Sequence, residues 1–144
     1  MRMRTTDRPA GRRAGSLLTT GPVWRVGVLA SVLAAIATVV FALLAKAIDV
    51  PLEIDDEEIP ISGFAFVTLI WSLVGTALAI AVNRWVKHPA RTFVIATLVL
   101  TVVSFVPVMT ADASTATQVT LALSHLLAAA IVIPALAVRL ASAE

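Results

Sequence analysis

Four long apolar runs that contain almost no charge constrain the fold of this chain more than any other feature. The runs extend over about Val26–Ile48, Ile61–Val82, Thr92–Met109 and Val119–Val138. A helix rises about 1.5 Å per residue, so about 20 residues cross the hydrocarbon core of a bilayer. Because lipid offers no hydrogen-bond partner, the backbone of a spanning segment must satisfy its own polar groups, as a helix does. The sequence therefore predicts an all-α integral membrane protein with four transmembrane helices.

The amino-acid composition favours a membrane environment over water. Hydrophobic residues make up 59% of the 144 residues and charged residues only 14%, whereas a soluble domain has about a quarter charged residues. Cysteine is absent, which excludes disulfides, thiolate metal sites and a cysteine nucleophile. The net charge is +2, but the basic residues flank the apolar runs and no recognition motif is present. This placement indicates membrane topology, and no nucleic-acid partner is predicted.

The charged residues are sorted by segment, and this sorting predicts the orientation. Basic residues concentrate in the N-terminal flank up to Arg25, in the connection 83–91 and at Arg139, whereas the connection Asp49–Pro60 is acidic. Cytoplasmic loops carry the excess of Lys and Arg, so we expect both termini in the cytoplasm. Short connections place consecutive helices antiparallel. The predicted fold is a four-helix antiparallel up-down transmembrane bundle, N-in/C-in, which passes several times through the inner (plasma) membrane.

The chain divides into one transmembrane domain, residues 23–140, and two tails. Residues 1–22 contain too few apolar residues for a core, which predicts a disordered basic cytoplasmic tail. Residues 141–144 form a short cytoplasmic tail. A cleaved signal peptide that ends near Ala45-Lys46-Ala47 is the alternative for the first run. That run has about 20 residues and exceeds the roughly 7–15 of a signal core, which favours an uncleaved anchor.

Small residues recur at helical spacing within three of the runs. In lipid, helices associate by close packing and interhelical hydrogen bonds, and small residues permit a close approach. We predict that helix interfaces contain Ala30, Ala34, Ala37, Thr38, Ser72, Gly75, Thr76, Ala79, Ala122, Ser124, Ala128 and Ala129. A dimer face is the alternative interpretation of the same stripes.

His125 is the most informative polar residue, because it lies about six positions into the fourth run. Ionisable residues inside a membrane are costly and are often functional. Three further polar residues reach a similar depth on the other helices, namely Ser104, Thr68 and Lys46. We predict that the four form a polar pocket in the outer half of the bundle, where His125 bonds Ser104 first or Thr68 second. Alternatively, His125 only joins two helices, and Lys46 reaches the headgroups or pairs with Asp49.

The sequence contains no recognisable motif for a cofactor, a metal or catalysis. Asp55–Glu58 lacks the alternating ligands and the glycine of a calcium loop, which favours a solvated acidic loop. His88 and His125 lie toward opposite membrane faces and cannot ligate one haem within a single chain. Asp112–Thr115 is typical of a cap for the fourth helix. We therefore expect no cofactor, no metal site and no enzymatic activity.

Three short segments resemble a known family in their order and spacing. They are Ile48–Glu53 after the first run, Ser104–Pro107 near the end of the third and Leu123–Pro134 in the fourth. With them, Ala42–Leu140 resembles the small four-span bacterial membrane proteins catalogued as domain of unknown function 6069. The resemblance implies the four-helix fold and implies no activity. Asp55–Glu58 and the arginine-rich tail depart from the family pattern.

These observations leave two main hypotheses for the function. The first is a non-enzymatic accessory or interaction protein of the membrane. The alternative is a small carrier or ligand-binding bundle that uses the pocket around His125, and an integral membrane enzyme ranks third. The expected partners are the lipid bilayer and either a second copy of the chain or another membrane protein. A water-accessible cavity beside His125 would favour the carrier, and a dry interior would favour the interaction protein.

Overall fold

A computed structural model describes residues 21–143 and contains four long helices. They are α1 (Val23–Ala47), α2 (Ile61–Trp85), α3 (Pro89–Thr110) and α4 (Thr115–Ala141). All four helices are long and apolar enough to cross a membrane, so the prediction of four spanning helices is confirmed. The tail predicted at residues 1–22 lies outside the described residues, except for its last two.

The helices extend slightly beyond the apolar runs. Helix α1 begins at Val23, α2 ends at Trp85 and α3 begins at Pro89. Helical hydrogen bonding continues past the hydrocarbon core, because the interfacial region tolerates polar and aromatic side chains. These three helix ends therefore lie about three residues outside the predicted membrane spans.

Local sequence explains where the helices begin. Helix α2 follows Pro60, and α3 has Pro89 as its first residue, where the missing N–H of proline costs no helical hydrogen bond. Helix α4 is capped by Ser114, whose Oγ accepts a hydrogen bond from the backbone N–H of Thr117 at 3.1 Å. This contact confirms the predicted cap and assigns it to the serine.

Contacts between the connections establish the up-down topology. Arg139 Nε donates to the carbonyl of Gly21 at 2.6 Å, which joins the end of α4 to the start of α1. The backbone N–H of Asp55 donates to the carbonyl of Asp112 at 2.9 Å, which joins the first connection to the third. The bundle therefore has a basic end, formed by residues 21–25, 84–91 and 139–143, and an acidic end, formed by residues 48–60 and 111–114.

Helix α1 is the centre of the packing. It packs most extensively on α2 and next on α4, and α4 also packs on α3, whereas α2 and α3 touch much less. The buried face of α1 consists mainly of small residues, including Gly27, Ala30, Ser31, Ala34, Thr38 and Ala42. Small side chains permit two helix backbones to approach closely in lipid. The prediction of an interface through Ala30, Ala34 and Thr38 is confirmed.

One close approach between α1 and α2 involves Gly27, a residue that the sequence analysis did not single out. A Cβ added to Gly27 would lie 2.8 Å from Thr76 Cβ and closer still to the hydroxyl and methyl groups of Thr76. Gly75, which was predicted for this interface, instead has no atom within 4 Å of the position of a Cβ. The prediction for Gly75 was wrong, because its neighbours Ser72, Thr76 and Ala79 face α1 and Gly75 lies beside that face.

The outer faces of the helices are apolar. Leu29 is 66% exposed, Trp71 is 69% exposed and Val102 is 66% exposed. In water, such exposure would be unfavourable, but lipid is as apolar as these side chains. The buried hydroxyls are mostly satisfied within their own helices, as where Ser31 Oγ donates to the carbonyl of Gly27 at 2.8 Å. One contact of this kind crosses helices among the described residues, between Thr38 Oγ1 and Thr68 Oγ1 at 3.1 Å.

Candidate functional site

His125 lies half-buried on α4 and faces α3. Its Nδ1 is 2.8 Å from the carbonyl oxygen of Leu121, one turn earlier in the same helix. Because a carbonyl only accepts, Nδ1 donates in this hydrogen bond, and Nε2 forms no hydrogen bond within residues 21–143. The imidazole also contacts the ring of Phe105 on α3, with 6.4 Å between the ring centroids. His125 therefore lies where α3 and α4 meet, and its hydrogen bond is local to α4.

The other three residues predicted for the pocket have separate partners. Ser104 Oγ donates to the carbonyl of Thr101 at 2.7 Å. Thr68 Oγ1 pairs with Thr38, as described above, and Lys46 forms an ion pair with Glu58.

Within residues 21–143, no hydrogen bond joins two of the four pocket residues. The predicted bond between His125 and Ser104 is replaced by one to the carbonyl of Leu121, because a carbonyl one turn away is already within reach of the ring. The alternative pairing of Lys46 with Asp49 is likewise replaced by Glu58.

The acidic connection is an ordered β-hairpin, where the sequence analysis expected a solvated loop. Strand β1 (Glu53–Ile54) pairs antiparallel with β2 (Glu57–Glu58). The two turn residues, Asp55 and Asp56, have φ values of 53° and 61°. A two-residue hairpin loop of type I′ needs positive φ at both positions, and Asp tolerates that conformation better than most residues. The carboxylates are exposed, so the expected solvation of this segment is correct while its lack of structure is not.

A small apolar cluster fixes the hairpin to the acidic end of the bundle. Leu52 is only 4% exposed and packs with Ala42, Ala45 and Phe64. The backbone N–H of Ile59 donates to the carbonyl of Leu52 at 2.6 Å, which closes the base of the hairpin. Burial of one leucine contributes roughly 1.5–3 kcal/mol, enough to order a short segment when hydrogen bonds assist it.

Two hydrogen bonds join the first connection to the third connection and to α4. One is the bond from Asp55 to Asp112 that defines the topology. In the second, the hydroxyl of Thr117 donates to the carbonyl of Pro51. The side chain of Gln118 also donates to the carbonyl of Ala111 at 3.0 Å and holds the third connection against α4. The hairpin and this connection therefore form one unit, which we call the acidic cap (residues 49–60 and 111–118).

A polar depression of about 230 Å³ lies between the two parts of the acidic cap. Three carboxylates line it, those of Glu53, Asp56 and Asp112, together with Pro51 and Thr117. In the described part of the chain, these carboxylates do not converge into a group that could hold a metal ion. The depression is open to solvent, so its carboxylates are available to an external cationic group.

The charge of the acidic cap is strongly one-sided. The cap contains exposed carboxylates at Asp49, Glu53, Asp55, Asp56, Glu57, Glu58 and Asp112. Across the hairpin, Glu53 lies directly opposite Glu58, an arrangement in which like charges repel. Among the described residues, Lys46 is the sole cation at this end, and it pairs with Glu58. The cap is therefore an anionic surface on a rigid support.

The fold defines a class of protein, namely a multi-pass membrane protein built as a four-helix bundle. The chain belongs to the family of unknown function DUF6069, which matches residues 18–142. The match includes α1 and so extends beyond the segment Ala42–Leu140 that carried the resemblance in sequence. No curated protein and no solved structure matches the chain.

Proposed function

We propose that this protein is a non-enzymatic interaction protein of the inner (plasma) membrane, and that its acidic cap binds a cationic segment of another membrane or exported protein. With the basic end in the cytoplasm, the acidic cap faces the opposite side of the membrane. The observation that carries the proposal is the ordered hairpin, which holds a dense set of carboxylates outward on a fixed scaffold.

The hairpin retains an arrangement that is unfavourable for the isolated chain. The pair Glu53 and Glu58 repels across the strands, and one lysine offsets only part of that repulsion. Arrangements that oppose local stability are expected mainly where function requires them. A cationic partner would relieve the repulsion, and a rigid surface loses little conformational entropy on binding. The negative charge of the cap would also steer the cationic partner toward it.

Site-specific photocrosslinking in intact membranes tests the proposal. A photoreactive residue at Asp56, in the tip of the hairpin, should give one discrete adduct with a different protein. The same residue at Val102, which faces lipid, is the control and should give none. The double substitution Glu53→Gln and Glu57→Gln should reduce the Asp56 adduct several-fold, because it removes charge from the cap, and raised salt should act in the same direction.

Two outcomes would contradict the interaction proposal. One is the absence of a discrete adduct from Asp56. The other is an adduct whose yield does not change when the two glutamates become neutral. Protection of the hairpin from a glutamate-specific protease at Glu58 would show that the substituted cap is still folded. An adduct between two copies of the chain would assign the cap to a homo-oligomer instead.

A small carrier or ligand-binding bundle is the second candidate, and the ring nitrogen Nε2 of His125, which forms no hydrogen bond within residues 21–143, supports it. Two concavities of the described residues lie elsewhere, in the acidic cap and at the basic end, and neither is lined by His125. Carbethoxylation followed by mass spectrometry tests water access, with exposed His88 as the internal control. Modification of both histidines at similar rates would favour the carrier, and modification of His88 alone would favour the interaction protein.

A further inference from the structure

A shallow groove at the basic end separates the start of α3 from the end of α4. Its volume is about 520 Å³, within the range of about 300–1,000 Å³ typical of ligand sites. Alanines line much of it, with Ala90 on α3 and Ala137 and Ala141 on α4. Because alanine projects little from a helix, the surfaces of the two helices are recessed there. Val94 and Val138 complete an apolar lining, so the groove opens on the face that lipid chains contact.

One charged residue, Arg91, lines this groove. It is the third residue of α3, so it lies near the level where a helix leaves the hydrocarbon core. Within residues 21–143, the side chain of Arg91 forms no hydrogen bond and no ion pair, and it is exposed. The described part of the basic end contains no carboxylate and carries the cations Arg25, Arg84, Lys87, Arg91 and Arg139. The charge that the described residues place around the mouth of the groove is therefore positive.

We infer that this groove binds an anionic phospholipid, with an acyl chain against the alanines and the phosphate at Arg91. The groove combines a recessed apolar surface with the exposed cation Arg91, which has no ion pair within residues 21–143. Basic sites between transmembrane helices on the cytoplasmic side are suited to anionic headgroups. A guanidinium also matches phosphate geometry with two parallel hydrogen bonds. A free phosphate would use Arg91 alone, whereas a lipid uses the groove as well.

Native mass spectrometry of the full chain measures this binding directly. The protein is released from mixed micelles with equal amounts of phosphatidylglycerol and phosphatidylcholine, and the two bound lipids are counted. Arg91→Gln should lower the ratio of bound phosphatidylglycerol to phosphatidylcholine about five-fold, which corresponds to the loss of about 1 kcal/mol for one cation near a membrane surface. Arg84→Gln removes the same charge from the same end outside the groove, and it should leave the ratio within about two-fold.

A second substitution tests the apolar part of the site. Ala137→Leu fills the groove and should reduce the total of both lipids several-fold while it leaves their ratio unchanged. Ala141→Leu, at an exposed position of the same groove, provides the same test if Ala137→Leu does not fold. Added glycerol phosphate, which carries the anion without the chain, should not displace the lipid.

Three results would overturn the assignment of a lipid site. They are an unchanged ratio in Arg91→Gln, an equal loss in Arg84→Gln, and unchanged lipid occupancy when the groove is filled. The second of these would show that the whole basic end attracts anionic lipid without a defined site. Displacement by glycerol phosphate would show that the site recognises the phosphate alone.

Discussion

Gly27 provides the sharpest test of the packing, because the structure leaves no space for a side chain there. A Cβ at this position would lie 2.8 Å from Thr76 Cβ, whereas ordinary contact begins at 3.4 Å. The Cβ of Thr76 is fixed to the backbone of α2, and its hydroxyl is held by the carbonyl of Ser72 at 2.9 Å. Rotation of the side chain cannot relieve the clash, so α1 and α2 must separate by about half an ångström or more.

We expect Gly27→Ala to reduce the free energy of unfolding by about 1 kcal/mol, and by at most about 2.5 kcal/mol. Overpacking of a well-packed interface typically costs about 1–3 kcal/mol. Alanine gains roughly 0.5–1 kcal/mol over glycine in a helix interior, which offsets part of that cost. Gly75→Ala is the matched control on α2, because nothing lies within 4 Å of its Cβ position. That substitution should be neutral or should stabilise the protein by up to about 1 kcal/mol.

Unfolding in mixed micelles of increasing sodium dodecyl sulfate content, followed by circular dichroism, measures both variants. Thr76→Ala removes the atoms that crowd Gly27 most closely, so the double variant should recover part of the lost stability. The coupling energy of the cycle should be about 0.5–3 kcal/mol, as for residues in direct contact. Equal stabilities of Gly27→Ala and Gly75→Ala, or a coupling energy of zero, would refute the close approach of α1 and α2.

Three further predictions concern the acidic cap. Leu52→Ala should destabilise the docked hairpin by about 2–5 kcal/mol, because it empties a buried position. Cleavage of the hairpin by a glutamate-specific protease should then accelerate at least ten-fold. Unchanged cleavage would contradict the docking of the hairpin on the bundle. Ser114→Ala removes the cap of α4 and should cost about 1 kcal/mol in the micelle unfolding assay; no change would show that the cap is dispensable. Lys46→Gln should cost less than about 1 kcal/mol, because its ion pair with Glu58 is exposed, and a larger loss would indicate a structural role for this pair.

The helices could be predicted from the sequence because length and hydropathy suffice to identify a membrane span. The interface positions of α1 also followed, since Ala30, Ala34 and Thr38 repeat at helical spacing. The pairing of Gly27 with Thr76 could not be predicted. A glycine near the start of a helix shows that a close approach is permitted, but the partner depends on the rotation and offset of two helices. These are set by the whole interface, so Gly75 was chosen and Gly27 was missed.

For the candidate site too, the sequence indicates how far along a helix a residue lies, but not which neighbouring side chain it faces. The sequence analysis placed His125 and Ser104 at a similar depth, and in the structure the ring of His125 contacts Phe105, the neighbour of Ser104. Adjacent residues project about 100° apart around a helix, so the ring of Phe105, and not the hydroxyl of Ser104, faces His125.

The hairpin was missed because its turn is Asp55-Asp56, whereas the strong hairpin signal is Asn-Gly or Asp-Gly. Leu52, a lone apolar residue in an acidic segment, was the available signal that this segment docks.

Cysteine accessibility tests the central claim most directly, namely that four helices cross the membrane and present the acidic cap on the side opposite the termini. The chain contains no cysteine, so single cysteines can be introduced at Asp56 and Ala113 in the cap and at Lys87 and Ser142 at the basic end. In intact cells, a membrane-impermeant maleimide should label positions 56 and 113, and positions 87 and 142 should react only after the membrane is permeabilised. Labelling of position 87 from outside the intact cell would contradict the orientation and the four-span account together.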